Sequence, residues 1–211
     1  MPRRRVSNPL ALAVLSCLAQ RPMHPYEMSA TMREQHKDAA VKLNFGSLYS
    51  VVDALQRAGF VEAKETTRQG NRPERTTYAI TEAGLAELAD WVRELLGTPV
   101  KEYRPLTAGL AFIAALPPDE AAEALRLRQR LLADEVQAMR AALQARPEAT
   151  AARPALPRVF TIEDEYELAM KEAELAWVGD LVAEFDQGAF PGTDEWRRYH
   201  EQRSLTPTER S

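Results

Sequence analysis

The residues that could carry covalent or metal chemistry are few and far apart in this chain of 211 residues. The three histidines, His24, His36 and His200, are scattered, and the single cysteine, Cys17, has no second ligand at the spacing of a metal site. Neither a glycine-rich phosphate loop nor a nucleophile elbow occurs. The carboxylates of the second half fall on solvent-facing stripes of expected helices. We therefore expect no enzyme, and no cofactor or metal ion.

Recognition of a polyanion is the chemistry that the charge distribution favours. Through Thr81 the chain has 12 Lys and Arg against 7 Asp and Glu, and the remainder has 15 against 24. The net charge of −4 thus conceals a basic first part, net +5, and an acidic second part, net −9. Parts of opposite charge indicate different partners, and a polyanion is the expected partner of the first.

The N-terminus has a superficial likeness to an export signal, because three arginines at positions 3 to 5 precede an apolar stretch. However, the stretch is amphipathic, since Leu10, Val14 and Leu18 share one helical face. A core helix capped by Ser7 or Asn8 is the simpler interpretation. With no apolar run of about 18 residues, we expect no contact with a membrane and a cytoplasmic protein.

Hydrophobic periodicity in the first 96 residues predicts three helices, a β-hairpin and a fourth helix. Two prolines separate the first helix from a second that should run to about His36. The third helix should end at Gly59 and bury an apolar stripe formed by Leu48, Val51, Val52 and Leu55. From Phe60 the period changes to two, which predicts a hairpin with a basic tip, and Thr81 should cap the fourth helix.

This order of elements is that of a winged helix-turn-helix, a module that places its third helix in the DNA major groove and its wing along the backbone. Short polar side chains at the start of the third helix suit base edges, and arginines in the wing suit phosphates. Alternatively, Tyr49 packs at the edge of the core, and the wing arginines are solvated charges of a turn. The predicted DNA contacts are Asn44, Ser47, Tyr49, Ser50, Arg68, Asn71, Arg72 and Arg75.

Three segments of this region resemble the PadR family of bacterial transcriptional regulators. They are LAVLSCLAQRPMHPYEM (12–28), GSLYSVVDALQRAGFVE (46–62) and RPERTTYAITEAG (72–84). The resemblance implies a dimeric DNA-binding repressor that commonly controls a detoxification or efflux gene and is released by a small aromatic or drug-like ligand or by another signal. It places Tyr26 and Tyr49 at characteristic tyrosines. Pro25 departs from the family pattern, which usually has glycine there.

The second half predicts a helical domain. A short apolar helix at about 106–116 should precede two long helices, one reaching about Gln144 and the other running from Thr161 to about Asp186. The last helix is apolar over so wide an arc that we expect its own chain on one side and a second subunit on the other. The predicted dimerisation residues are Leu132, Met139, Tyr166, Met170, Trp177, Leu181 and Phe185. The candidate effector contacts are Tyr103, Phe112 and Trp177.

Together these patterns predict a mainly α protein. A winged helix-turn-helix domain with a two-stranded β-wing should span residues 1–96, a helical dimerisation and effector domain 97–190, and a polar, loosely held tail 191–211. We expect a sequence-specific transcriptional regulator, a homodimeric repressor that binds palindromic double-stranded operator DNA and is released by a small-molecule effector. The alternative is a winged-helix module that binds protein without specific DNA binding, and the basic wing favours DNA over it.

Overall fold

A computed structural model describes residues 6–35, 45–67, 75–145 and 157–204 of the chain. The chain divides into two units, Met1–Lys101 and Glu102–Ser211. The first unit contains α1 (Pro9–Leu18), α2 (Pro25–Glu34), α3 (Phe45–Arg57), β1 (Val61–Thr67), β2 (Arg75–Ile80) and α4 (Glu82–Gly97). The second contains α5 (Pro105–Ala111), α6 (Pro118–Gln144), α7 (Ile162–Asp186) and α8 (Thr193–Ser204). The mainly α fold class with one two-stranded antiparallel sheet is confirmed.

Helix α1 lies at the centre of the core of the first unit. The predicted stripe of Leu10, Val14 and Leu18 is buried, and Cys17, seven residues after Leu10, is buried beside it. The helix is buried around most of its circumference because it packs against α2, α3, α4 and β2. Its first turn is capped by Asn8, whose Oδ1 accepts the Leu10 N–H at 2.9 Å.

Helices α2 and α3 end in different ways. Helix α2 ends at Glu34, two residues before the predicted end at His36, which lies outside the described residues. Helix α3 buries the four predicted residues Leu48, Val51, Val52 and Leu55. Gly59 follows it with a φ of 81°, a conformation that favours glycine over residues with a Cβ.

The two strands form the predicted hairpin, with Val61 paired to Ile80 at the base and Thr67 paired to Arg75 at the far end. The register shifts between Ala63 and Glu65, which leaves an extra residue in β1. Strand β2 also pairs with the connection between α1 and α2 through two backbone hydrogen bonds of 3.0 Å between Met23 and Tyr78. This second pairing fixes the base of the hairpin to the helical core.

Thr81 joins the hairpin to α4. Its hydroxyl donates to the Gly59 carbonyl at 2.8 Å and accepts the Gly84 N–H at 3.1 Å, as the predicted cap requires. Its backbone N–H donates to the Phe60 carbonyl at 3.0 Å. Two of these three hydrogen bonds join the cap of α4 to Gly59 and Phe60, which follow α3.

Substituting Thr81→Ala removes both hydroxyl hydrogen bonds and is expected to lower the free energy of unfolding of the first unit by about 1–2 kcal/mol, the usual cost of losing an N-cap. Urea denaturation followed by circular dichroism measures the loss. Thr81→Ser keeps the hydroxyl and should lose much less. Equal losses in the two variants would mean that the methyl group, and not the cap, accounts for the stability.

The second unit is built on the antiparallel pair α6 and α7. Its core joins Leu125 and Leu132 of α6 to Val178 and Val182 of α7. Ion pairs between the two helices flank this core: Arg126 with Asp186, Arg128 with Glu174, Glu135 with Lys171, and Arg140 with Glu172. Exposed pairs of this kind contribute little stability, so the apolar core provides most of the packing energy.

Two predictions for the second unit were wrong in part. The expected helix at 106–116 is α5 followed by a separate 3₁₀ turn, Ile113–Ala115. The expected polar tail contains α8, which is anchored by the Trp196 Nε1–H donating to the Leu116 carbonyl at 2.9 Å. His200 makes a second anchor through its Nε2, 3.0 Å from the Ala114 carbonyl. Residues 205–211 lie outside the described part.

Candidate nucleic-acid interface

The start of α3 presents the surface that the sequence predicted for base recognition. Tyr49 and Ser50 are exposed, with Tyr49 at 50%, and Ser47 is half-buried. The opposite side of the helix is buried in the core of the first unit. Because one face is fixed by packing and the other carries short polar groups, α3 can enter a groove without exposing the core.

The Ser50 side chain has a defined hydrogen-bond geometry. Its hydroxyl lies 3.0 Å from the Gly46 carbonyl and 3.1 Å from the Ser47 carbonyl, both in the preceding turn of α3. A serine hydroxyl has one proton and two lone pairs, so it donates back to the helix and leaves its acceptor positions outward.

Tyr49 and Asp53 of α3 lie close to Tyr78 of β2. Burial raises the pKa of the Tyr78 phenol above its usual value, and electrostatic interactions with Asp53 and Tyr49 act in the same direction. Strand β1 of the hairpin also packs against α3. The hairpin therefore lies beside α3.

The wing residues are only partly described. Arg75 is the first residue of β2, opposite Thr67. Asn44, Arg68, Asn71 and Arg72 lie outside the described residues, so their assignment to DNA contacts stays a prediction. Lys64, near the middle of β1, is exposed and pairs with Glu62 at 3.0 Å.

The first turn of α2 presents a further exposed aromatic side chain. Tyr26, in the first turn of α2, is 66% exposed although tyrosine usually covers its ring. His24 caps the same turn by accepting the Tyr26 N–H at 3.1 Å, while Glu27 accepts the His24 N–H at 2.8 Å. The sequence contains the signal for this cap, a proline at the first helical position followed by glutamate two residues later.

A sequence profile described as the transcriptional regulator PadR-like family matches residues 14–90, the segment that carries this surface. The first unit is a PadR-family domain. No curated protein matches the chain.

Solved structures similar to most of the chain extend the comparison beyond the PadR-family domain. Bacillus subtilis PadR in complex with operator DNA is 18% identical, with a TM-score of 0.65 over 84% of this chain and 99% of that one. The same protein in complex with p-coumaric acid is 16% identical, with a TM-score of 0.66 over 84% of this chain and 98% of that one. The protein smu.1604c from Streptococcus mutans UA159 is 19% identical, with a TM-score of 0.52 over 84% of this chain and 99% of that one. At these identities the similarity concerns the fold, and it includes the second unit.

The residues predicted for dimerisation divide into two groups in the unit that follows the PadR-family domain. Leu132 lies in the core between α6 and α7, and Leu181 and Phe185 pack against that core. These three side chains therefore pack within their own chain. Met139 is half-buried on α6. Tyr166, Met170 and Trp177 form an exposed stripe on α7, with Tyr166 at 57% and Trp177 at 50%.

The candidate effector residues are all exposed in a single chain, with Tyr103 at 85% and Phe112 at 74%. They do not line the open groove on the first half of α6, whose walls are Leu116, Glu120, Glu123, Ala124, Arg126, Leu127 and Arg130. An enclosed binding site that contains Tyr103, Phe112 or Trp177 would therefore need additional residues to cover these side chains. No helix in the described residues is long and apolar enough to cross a membrane.

Proposed function

We propose that this protein is a homodimeric DNA-binding transcriptional regulator, a repressor that binds a palindromic operator and is released by a small aromatic effector. The observation that carries the proposal is the construction of α3. One face is buried and consists of Leu48, Val51, Val52 and Leu55. The start of the other face, beside a β-hairpin, exposes Tyr49 and Ser50 and leaves Ser47 half-buried. This is the arrangement with which a winged helix-turn-helix reads base edges.

Dimerisation is supported by the exposed stripe of α7. Ile162, Tyr166, Met170 and Trp177 recur at steps of four and seven residues, and each is at least 37% exposed. Monomeric proteins rarely expose a continuous apolar stripe of this kind, so a second copy is its proposed cover. A two-fold dimer would place two α3 helices on half-sites about one helical turn of DNA apart.

Release by an effector is supported by the exposed aromatic residues Tyr103, Phe112 and Trp177. Bacillus subtilis PadR, which shares this fold, has been solved with p-coumaric acid. We propose that the second subunit completes the walls of a comparable site here, because ligand sites bury most of the surface of what they bind.

A mobility-shift titration with the promoter DNA upstream of the gene itself tests the central claim. The expected result is retardation of this fragment at moderate salt and at concentrations that leave a shuffled fragment of equal length unbound. Equal retardation of both fragments would leave only non-specific binding. The absence of retardation, with the second unit capturing a protein, would favour the protein-interaction module.

Replacing Arg72 and Arg75 by alanine is expected to weaken binding to all DNA sequences by a similar factor, because we assign both guanidinium groups to phosphates. Each lost phosphate contact lowers the salt dependence by about one, and a dimer loses four such contacts, so the slope of log K against log salt should fall by about four. Titrations at several salt concentrations measure it. A loss confined to particular base pairs would contradict the phosphate assignment, and Arg93→Ala, on the exposed part of α4, is the matched control.

A further inference from the structure

The Ser50 hydroxyl has a fixed hydrogen-bonding direction, and this limits which bases it can recognise. Its proton points to the Gly46 and Ser47 carbonyls, at 3.0 and 3.1 Å, while the residue itself is exposed. Only the acceptor lone pairs of its Oγ are then available to a molecule that approaches α3 from outside.

We propose that Ser50 is a specificity-determining residue that accepts a hydrogen bond from an exocyclic amino group in the major groove, and so selects adenine or cytosine at one position of each half-site. The inference rests on the proposed DNA binding. In the major groove the adenine N6 and cytosine N4 amino groups are donors, whereas guanine and thymine present acceptors to the same side chain.

The count of hydrogen bonds explains why the hydroxyl keeps its direction on DNA. When Ser50 accepts from an amino group, it makes two hydrogen bonds, one to the helix and one to the base. When it rotates to donate to guanine or thymine, it makes one, because its only proton has left the helix. One hydrogen bond corresponds to a preference of about three- to tenfold.

Amino-group deletion in the DNA tests the inference. Selection from a randomised duplex library with the full-length protein first defines the preferred site. Each adenine of that site is then replaced by 2-aminopurine, which lacks the N6 amino group, and each cytosine by 2-pyrimidinone, which lacks N4. Dissociation constants are measured for the wild type, for Ser50→Ala and for Ser47→Ala, the serine one turn earlier on the same helix.

Each half-site should contain one base whose replacement, made alone, weakens wild-type binding about three- to tenfold. The same replacement should leave the binding of Ser50→Ala unchanged. The same replacement should weaken Ser47→Ala as much as it weakens the wild type. Alanine favours helix, so Ser50→Ala should fold, and its melting curve checks this. Ser50→Thr, which retains a hydroxyl able to donate to the preceding turn, should keep the preference.

Two results would overturn the inference while leaving the proposed function intact. In the first, every amino deletion weakens the binding of Ser50→Ala as much as it weakens the binding of the wild type. In the second, the difference in affinity between the wild type and Ser50→Ala disappears only when a guanine or thymine of the site is changed. Failure of the wild type to select any site would instead overturn the proposed function, and the inference with it.

Discussion

Replacing Trp177 by glutamate is expected to convert a dimer of about twice 23.6 kDa into a monomer and to weaken operator binding by about 100-fold. Trp177 is half exposed on α7 and is the largest apolar side chain of the stripe proposed to face the second copy. A carboxylate there would be buried without a partner at the interface. Each half-site would then bind a separate chain, and the gain from joining the two reading helices would be lost.

Light scattering and mobility shift measure the two effects on the same samples. Glu167→Gln is the matched control, because Glu167 is exposed on α7 but lies outside the apolar stripe. It should remain dimeric and bind DNA as the wild type does. A Trp177→Glu variant that stays dimeric would contradict the proposed interface, and a monomer with unchanged operator affinity would contradict reading by a dimer.

Replacing Gly84 by alanine is expected to destabilise the PadR-family domain by about 3 kcal/mol, the upper part of the usual cost of overpacking. Gly84 is buried in the first turn of α4, and a Cβ there would collide with the Phe60 carbonyl oxygen and lie 2.8 Å from Ile80 Cγ1. The carbonyl cannot retreat easily because it accepts the Thr81 N–H at 3.0 Å. Urea denaturation at a fixed protein concentration measures the loss.

Gly97→Ala provides the internal control for this prediction. Gly97 is the last residue of α4, and a Cβ there meets nothing within 4 Å. Alanine should stabilise this position by a few tenths of a kcal/mol to about 1 kcal/mol, because it has the higher helix propensity. If both variants lost stability equally, helix geometry at α4 and not the contact with Phe60 would be responsible.

The predicted dimerisation residues illustrate the limit of an argument from periodicity. The predicted dimerisation residues of α7, from Tyr166 to Phe185, follow one another at steps of four and seven residues. A step of four residues turns a helix by about 40° beyond a full turn, so the series winds around the helix. By Leu181 and Phe185 it has reached the side that packs against the core of the second unit. Periodicity identified the apolar residues correctly, but it could not say which of them α6 already covers.

Helix α8 is an element that hydrophobic periodicity did not predict. Only Trp196 and Tyr199 give this segment large apolar side chains, too few to predict a packed helix from periodicity. Its anchors are hydrogen bonds from Trp196 and His200 to carbonyls 80 and 86 residues earlier in the chain. Such pairings depend on tertiary proximity, which leaves no local pattern in the sequence.

The sequence by itself determined the winged arrangement of the first unit, the buried stripe of α3 and the cap at Thr81. Each of these depends on residues within one or two helical turns or one hairpin, where spacing and side-chain type decide the outcome. Only the tertiary structure decided that Gly84 must lack a side chain and which part of α7 is open to a partner. Those properties depend on atoms brought together by folding, so they follow from packing and not from sequence spacing.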